Sequence, residues 1–289
     1  LEWYHRRSRT ATFAAIMLYP LRQFVRFYFD AVTKYQLHSP FVFDLTMAML
    51  EDERSFYAFD DVELLRQAAL GSEIVLQFAD YGSGGDPAQP APPPRPVALS
   101  QITRRASSSK GQGQALFRLA NWAQPKTVLE LGTSVGISTL YMALAAPQAQ
   151  VLSLEGSEDC AAVARTHFEM LRTWRAEVLT GPFEQTLAPA LARLRSLDLV
   201  FFDGNHRHEP TVRYFEQCLP YTHANTVLVF DDMHSSPDMS AAWPHVCQHP
   251  QVTLTVDFFD LSLAFLNPDF REKQHWRVIR TRFKPWRFW

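Results

Sequence analysis

The chain has few cysteines and no long apolar run, and each absence excludes a class of protein. Its three cysteines, Cys160, Cys218 and Cys247, form no CxxC pair, so the sequence predicts neither a disulfide framework nor a cysteine-built zinc site. A reducing, cytoplasmic location is the simplest interpretation of this cysteine usage. The apolar segment 11–21 contains Pro20 and is about half as long as a bilayer requires. No transmembrane span is therefore predicted.

The chain also has almost no net charge, but its charges are segregated. Residues 1–40 carry six Lys and Arg against two acids, and residues 271–289 carry seven against one. Such basic ends are typical of solvated termini or of contact with an anionic partner. No nucleic-acid partner is expected. A membrane-surface contact stays open beside core packing, because residues 21–35 place Phe24, Tyr28 and Val32 at helical spacing with Arg22 and Arg26 opposite.

One boundary in the chain is visible from composition. Residues 82–96 contain three glycines and six prolines, and such a run cannot continue a helix or a central strand. We therefore expect an N-terminal helical cap over residues 1–81, a Pro/Gly-rich linker over 82–97 and a second domain over 98–289. In the cap, Ser39-Pro40 predicts a helix start.

The second part alternates short apolar runs with amphipathic helical segments, a pattern typical of a doubly wound parallel α/β sheet. A tight turn at residues 259–260 joins two further apolar runs, 252–258 and 261–265, and predicts a closing antiparallel hairpin. The predicted parallel strands are 127–131, 151–154, 177–179, 197–202 and 226–230.

A small-residue turn follows the first strand of this pattern. In the segment 130–138 (ELGTSVGIS), the positions of GxGxxG counted from Gly132 are occupied by Ser134 and Ile137. The pyrophosphate fingerprint of NAD and FAD proteins is therefore absent, and so is the GxxxxGK[ST] motif of nucleoside triphosphate sites. The turn instead favours a nucleoside without a pyrophosphate tail, such as S-adenosylmethionine. A similar turn at residues 80–85 leads into the proline run, and we assign it to the linker.

Acidic residues follow three other strands. Glu155 ends the second strand, where its carboxylate can accept both hydroxyl protons of a ribose. Asp203 follows the fourth strand, and Asp231 and Asp232 follow the fifth. These three carboxylates could hold a divalent cation, or they could cap loops and bind the methionine part of the cofactor. His206 and His234 are candidate general bases beside them.

These residues resemble the class I S-adenosylmethionine-dependent methyltransferases. The segments 130–139 (ELGTSVGIST), Glu155 and 202–206 (FDGNH) resemble the DGxH branch, near the catechol-type and sugar O-methyltransferases, and the likeness covers about residues 100–270. It extends to bacterial members of unassigned substrate through 38–45 (HSPFVFDL), 56–61 (FYAFDD) and 231–236 (DDMHSS).

The resemblance implies a Rossmann-like, seven-stranded sheet of order 3-2-1-4-5-7-6 with its last strand antiparallel. It also implies magnesium at Asp203, Asp231 and Asp232, with Asp203, His206 and His234 as the candidate catalytic residues. The lysine that catechol-type enzymes carry soon after the first metal aspartate is missing. The residues expected at the cofactor are Glu130, Gly132, Thr133, Ser134, Gly136, Ser138, Glu155, Gly156, Gly181, Phe183 and Asp203.

The sequence thus predicts an enzyme that transfers a methyl group from S-adenosylmethionine to a small-molecule oxygen, with Mg²⁺ as a candidate helper. The N-terminal part would cover the site or form a homodimer contact. Two alternatives stay open: a binding or membrane-associated module that keeps the fold without turnover, and a dinucleotide-dependent oxidoreductase, which the broken GxGxxG disfavours.

Overall fold

The computed structural model describes residues 18–79 and 93–284. The glycine turn at residues 80–85 and most of the expected linker lie outside them. The described chain is built on one eight-stranded sheet, which contains β3 to β10 in the order β10-β8-β9-β7-β6-β3-β4-β5, with only β9 antiparallel to its neighbours. Its strands are β3 (Thr127–Leu131), β4 (Gln150–Glu155), β5 (Ala176–Thr180), β6 (Leu197–Phe202), β7 (Thr222–Asp231), β8 (Leu254–Asp257), β9 (Leu261–Phe265) and β10 (Gln274–Arg277).

Counted from β3, the first seven strands have the expected order 3-2-1-4-5-7-6, and the closing hairpin is the pair β8 and β9. The expected strand count of seven is wrong. β10 adds an eighth strand, parallel to β8, at the edge of the sheet. Its four residues, QHWR, have no apolar run and alternate between half-buried and exposed positions. A short polar edge strand leaves no hydrophobic pattern for sequence reasoning to detect.

Helices cover both faces of the sheet, as a doubly wound fold requires. Successive strand residues point to opposite faces, so Val128 joins one apolar cluster with α5 to α7 and Leu129 joins another with α8 to α10. The helices are α1 (18–30), α2 (Pro40–Met49), α3 (Tyr57–Leu70), α4 (Leu99–Ala106), α5 (Lys110–Ala123), α6 (Ile137–Ala145), α7 (Glu158–Met170), α8 (Phe183–Leu194), α9 (His208–Cys218) and α10 (Pro237–Gln248). None of the helices described is both long and apolar enough to cross a bilayer.

The N-terminal helices share a core with the sheet domain. Val42 and Leu45 of α2 and Val62 of α3 are fully buried in the same cluster as Leu116 of α5. The predicted start of α2 is confirmed, because the Ser39 hydroxyl accepts a hydrogen bond from the Val42 N–H at 3.4 Å.

A small antiparallel hairpin lies between the N-terminal helices and the sheet domain. It consists of β1 (Val75–Phe78) and β2 (Arg95–Ala98), so the last residues of the expected linker form a strand. The Gln77 N–H donates to the Asp159 carboxylate at the start of α7, at 2.6 Å. This bond attaches the hairpin beside the carboxyl end of β4.

The packing of α5 on α6 generates a test with a matched control in the same helix. A methyl group at Gly113 would lie 2.3 Å from the ring of Tyr141, which is fully buried. A methyl group at Gly111 would meet nothing within 4 Å. We expect Gly113→Ala to lower the free energy of unfolding by about 1–3 kcal/mol, and Gly111→Ala to raise it by about 0.5–1 kcal/mol. Urea denaturation measures both; equal stability of the two variants would contradict the described contact.

Candidate active site

A cavity of about 600 Å³ opens at the carboxyl ends of β3, β4, β6 and β7. This is the edge at which doubly wound sheets bind ligands. The β1–β2 hairpin and α4 form its opposite wall through Phe78, Val97 and Ile102. Of the residues predicted from the sequence, those lining the cavity are Gly132, Ser134, Glu155, Gly156, Phe183, Asp203, His206, Asp231 and Asp232.

The turn after β3 depends on glycine at position 132. Gly132 has φ +109°, and a Cβ there would lie 2.1 Å from the backbone oxygen of Asp203. Only glycine adopts this conformation without strain and leaves room for that oxygen. The Asp203 N–H in turn donates to the Leu131 carbonyl at 2.9 Å, and the Gly132 N–H donates to the Leu154 carbonyl at 3.0 Å. The ends of β3, β4 and β6 are thereby held together around the cavity.

Glu155 is held at the cavity wall by backbone groups. Its two carboxylate oxygens accept the Ser134 N–H at 2.7 Å and the Ser157 N–H at 2.8 Å. Ser157 stands at the predicted N-cap of α7, but its side chain makes no capping bond. Burial raises the pKa of Glu155 to about 7, against the lowering effect of these two bonds. An oriented carboxylate at this strand end can accept hydrogen bonds from a ligand's hydroxyl groups.

Other residues predicted at the cofactor support the turn from behind and do not line the cavity. Glu130 is fully buried, and its carboxylate accepts hydrogen bonds from the hydroxyls of Ser138, Thr139 and Ser153. Burial raises its pKa, and these hydroxyls oppose the rise. The three hydroxyls replace the hydrogen bonds from water that the Glu130 carboxylate loses on burial. The residues expected at the cofactor that do not line the cavity are Glu130, Thr133, Gly136, Ser138 and Gly181.

A half-buried carboxylate, Asp203, and a buried one, Asp231, crowd the other side of the cavity. Burial, and then the charge of Asp231, raise the pKa of Asp203 well above its usual value. Burial, and then the charge of Asp232, raise the pKa of Asp231 to about 7. Like charges in a low-dielectric site disfavour ionisation of both groups. The pair is therefore ready to accept a proton or a positive charge.

His206 lies between two carboxylates at the cavity. Its Nε2 is 3.6 Å from Asp203 Oδ1, and its Nδ1 is 3.8 Å from Asp232 Oδ2. In the described ranges, 18–79 and 93–284, no three His, Cys, Asp or Glu side chains form a group that could hold a metal ion as they stand. The three aspartates supply oxygen donors, which suit Mg²⁺, but a cation would have to draw them together.

The structure places His234, which the sequence suggested as a general base, outside the residues that line the cavity. His234 follows β7 but turns away from the cavity, and its Nε2 lies 2.9 Å from the buried Asp257 carboxylate of β8. Its ring stacks on Phe259 with centroids 4.9 Å apart. Adjacent positions after a strand point in different directions, so proximity to Asp231 and Asp232 in the sequence did not place His234 in the same cavity.

Gln112 is a site residue that the sequence did not mark. It belongs to a capping box at the start of α5: its Oε1 accepts the Ser109 N–H at 3.3 Å, and its N–H donates to the Ser109 hydroxyl at 3.2 Å. Because Oε1 is occupied in this way, the amide nitrogen points outward and donates to Asp231 Oδ1 at 2.5 Å. The capping box is a local sequence pattern. The contact between Gln112 and Asp231 joins residues 119 positions apart, so no local pattern predicts it.

We expect Gln112→Glu to destabilise the protein. The substitution keeps an acceptor for the Ser109 N–H but puts a second carboxylate against Asp231, so the free energy of unfolding at pH 8 should fall by about 1–3 kcal/mol. Gln112→Ala is the matched control, since it removes both bonds without adding charge and should cost less. Urea denaturation in the presence of chelator measures both variants. A smaller loss in Gln112→Glu than in Gln112→Ala would contradict the contact with Asp231.

Comparison with known proteins agrees with this geometry. Residues 129–233, which include the turn after β3 and the acidic segments after β4, β6 and β7, match a family described as a methyltransferase domain. The chain is 37% identical over 131 residues to a catechol O-methyltransferase from Mycobacterium tuberculosis. That match covers 45% of this chain and 58% of the relative, so the chain spans less than two thirds of its length.

Solved structures show the same fold. The cofactor-bound protein Rv0187 from MTB superimposes with a TM-score of 0.52 at 24% identity, over 80% of this chain and 99% of that one. An O-methyltransferase from Bacillus cereus in complex with SAH has a TM-score of 0.52 at 20% identity, over 78% of this chain and 97% of that one. The described chain therefore shares the fold of these two proteins, and its residues 129–233 match a methyltransferase-domain family.

Proposed function

We propose that the protein transfers a methyl group from S-adenosylmethionine to an oxygen of a small-molecule acceptor. The observation that carries the proposal is the pairing, in one cavity, of a backbone-held carboxylate at Glu155 with an acidic and imidazole wall at Asp203, Asp231 and His206. The first can bind a nucleoside, and the second can bind and deprotonate an acceptor. The likeness to a catechol O-methyltransferase supports this assignment.

The cofactor would lie between the turn after β3 and the end of β4. Glu155 would accept the ribose hydroxyl protons, the exposed backbone at Gly132 would allow close approach, and Phe183 would border the adenine. The turn lacks the glycine pattern that cradles a pyrophosphate. An oxidoreductase that uses a dinucleotide therefore fits this cavity less well than a methyltransferase.

The chemistry demands little beyond positioning and proton removal, because the sulfonium methyl group is already activated. His206 is the group best placed to take the acceptor's proton. Asp203 and Asp232, at 3.6 and 3.8 Å, would stabilise the imidazolium that forms. This arrangement supplies a base at the position where the lysine of catechol-type enzymes is missing.

A divalent cation fits the donor chemistry of the same wall. The pKa values of the Asp203 and Asp231 carboxylates are raised by burial and by neighbouring negative charge, so a cation would relieve a repulsion between them. Asp203, Asp231 and Asp232 would hold it, with Gln112 orienting Asp231. When bound, such an ion lowers the pKa of an acceptor hydroxyl.

Binding of S-adenosylhomocysteine tests the cofactor site. We expect calorimetric titration to show binding, and Glu155→Ala to weaken it by about 1.5–3 kcal/mol, the range for hydrogen bonds to a charged group. Glu158→Gln is the matched control, because Glu158 begins the next helix with its side chain 70% exposed. No binding to the wild type would exclude the proposed function, and full affinity in Glu155→Ala would exclude this position for the ribose.

The same binding should depend on pH. Burial raises the pKa of Glu155 to about 7, and ribose hydroxyls donate to the charged form, so protons compete with the cofactor. Affinity for S-adenosylhomocysteine should be highest above pH 8 and should fall about tenfold for each pH unit below 7. Glu155→Gln should remove this dependence. An equal pH profile in the variant would assign the titration to another group.

Mn²⁺ binding, which can be measured without a methyl acceptor, distinguishes a metal site at the aspartates from a role of His206 as the base. We expect chelator-treated protein with S-adenosylhomocysteine to bind Mn²⁺, measured as loss of the free-ion electron paramagnetic resonance signal. Asp203→Asn and Asp231→Asn should weaken this binding at least about tenfold, and His206→Gln should retain it. Absence of Mn²⁺ binding in the wild type would leave His206 as a base that works without metal.

A further inference from the structure

The first described helix presents an apolar face to solvent. Leu18, Leu21, Val25 and Phe29 of α1 are 58%, 57%, 45% and 69% exposed. Their spacing of three or four residues places them on one side of the helix, over three turns. Four large apolar side chains in one stripe exceed the scattered exposure that is normal for a soluble surface.

The opposite side of α1 packs against the protein. Phe27 and Ala31 are 3% and 0% exposed and cluster with Ile279. Phe27 also contacts Phe259, with ring centroids 5.3 Å apart. The buried face fixes the rotation of the helix, so the exposed stripe cannot turn inward.

The carboxyl-terminal segment lies alongside α1. The Tyr28 hydroxyl donates to the Phe283 carbonyl at 2.9 Å, and the Lys284 ammonium donates to the Ala31 carbonyl at 2.6 Å. Val32 and Val278 form a parallel bridge between the two segments. The described parts of the two basic segments, α1 and residues 278–284, are thus brought together, and Phe283 there is 51% exposed beneath the guanidinium of Arg282.

Positive charge borders the apolar stripe. Arg22 and Arg26 are exposed on α1, and Arg282 is exposed on the neighbouring segment. The one acid within residues 18–30 and 278–284 is Asp30, and it pairs with Arg277 at 2.5 Å. The sequence continues in the same manner, with Arg6, Arg7 and Arg9 on one side and 286–289 (WRFW) on the other.

We infer that this surface, formed by α1 and residues 278–284, binds anionic phospholipid membranes. Apolar side chains that enter the interface, bordered by arginines that meet the headgroups, are the features of a helix that lies in the membrane plane. A second copy of the chain fits less well, because a two-fold contact through the stripe would bring Arg22 and Arg26 of both copies close together. The inference does not depend on the proposed enzyme activity.

Vesicle co-sedimentation of the full chain tests the inference. We expect binding to phosphatidylcholine vesicles that contain about 30% phosphatidylserine, weaker binding in high salt, and little binding to phosphatidylcholine alone. The double variant R22E/R26E should lower the partition coefficient about tenfold or more. L21E/F29E should lower it comparably, because both apolar anchors are lost.

Matched controls change the same kinds of residue elsewhere on the surface. K126E/R172E makes an equal change of charge at exposed positions, and L64E/W174E replaces side chains that are 71% and 74% exposed. Both should bind vesicles like the wild type. The inference is overturned if wild type does not bind, if controls and patch variants lose binding equally, or if L21E/F29E only dissolves a dimer seen by sedimentation velocity.

Discussion

The site depends on the contact between the turn after β3 and the end of β6. No side chain fits at Gly132, because a Cβ would lie 2.1 Å from the Asp203 oxygen, and this close approach joins the two halves of the cavity. On one side the turn presents the Ser134 N–H to Glu155, and on the other it sets the start of the loop that carries Asp203 and His206. The two halves lie on either side of β3, so a donor methyl group and an acceptor bound in them would meet above the turn after β3, where in-line transfer requires the reacting atoms to lie about 3–3.5 Å apart.

Crowded negative charge is the second constraint, and it explains how the site can be both stable and reactive. The fold keeps Glu130 buried with three hydroxyl donors, so that carboxylate is satisfied within the protein. Among residues 18–79 and 93–284, no hydroxyl donates to Asp203 or Asp231; Asp231 receives the Gln112 amide and the Asp232 N–H. Because of this difference in hydrogen bonding, Glu130 supports the turn, whereas Asp203 and Asp231 can still accept a proton or a cation.

The sequence predicted the sheet well because the signal for it is local. The bounds of β3 and β6 agree with the predicted runs, and β4, β5 and β7 differ only at their ends. Gly132, Glu155 and Asp203 line the cavity because each follows or ends a strand at the carboxyl edge of the sheet, and this position is also a local signal. Contacts between distant residues have no local signal: Glu130 accepts hydrogen bonds from hydroxyls up to 23 residues away, and His234 contacts Asp257. The hairpin and α4, which complete the cavity, carry no pattern that relates them to it.

The N-terminal helix belongs to the fold as much as the sheet does, although it precedes the matched methyltransferase region. Phe259 at the β8–β9 turn lies between Phe27 of α1 and the ring of His234, and His234 is held by Asp257. The loop after β7 therefore has two sides: Asp231 and Asp232 face the cavity, and His234 faces α1. Removing α1 would take the Phe27 ring away from both Phe259 and His234. Residues 278–284 also pack against α1, so the surface proposed for membranes and the loop that carries the acidic wall of the cavity both adjoin the contact between Phe27 and Phe259.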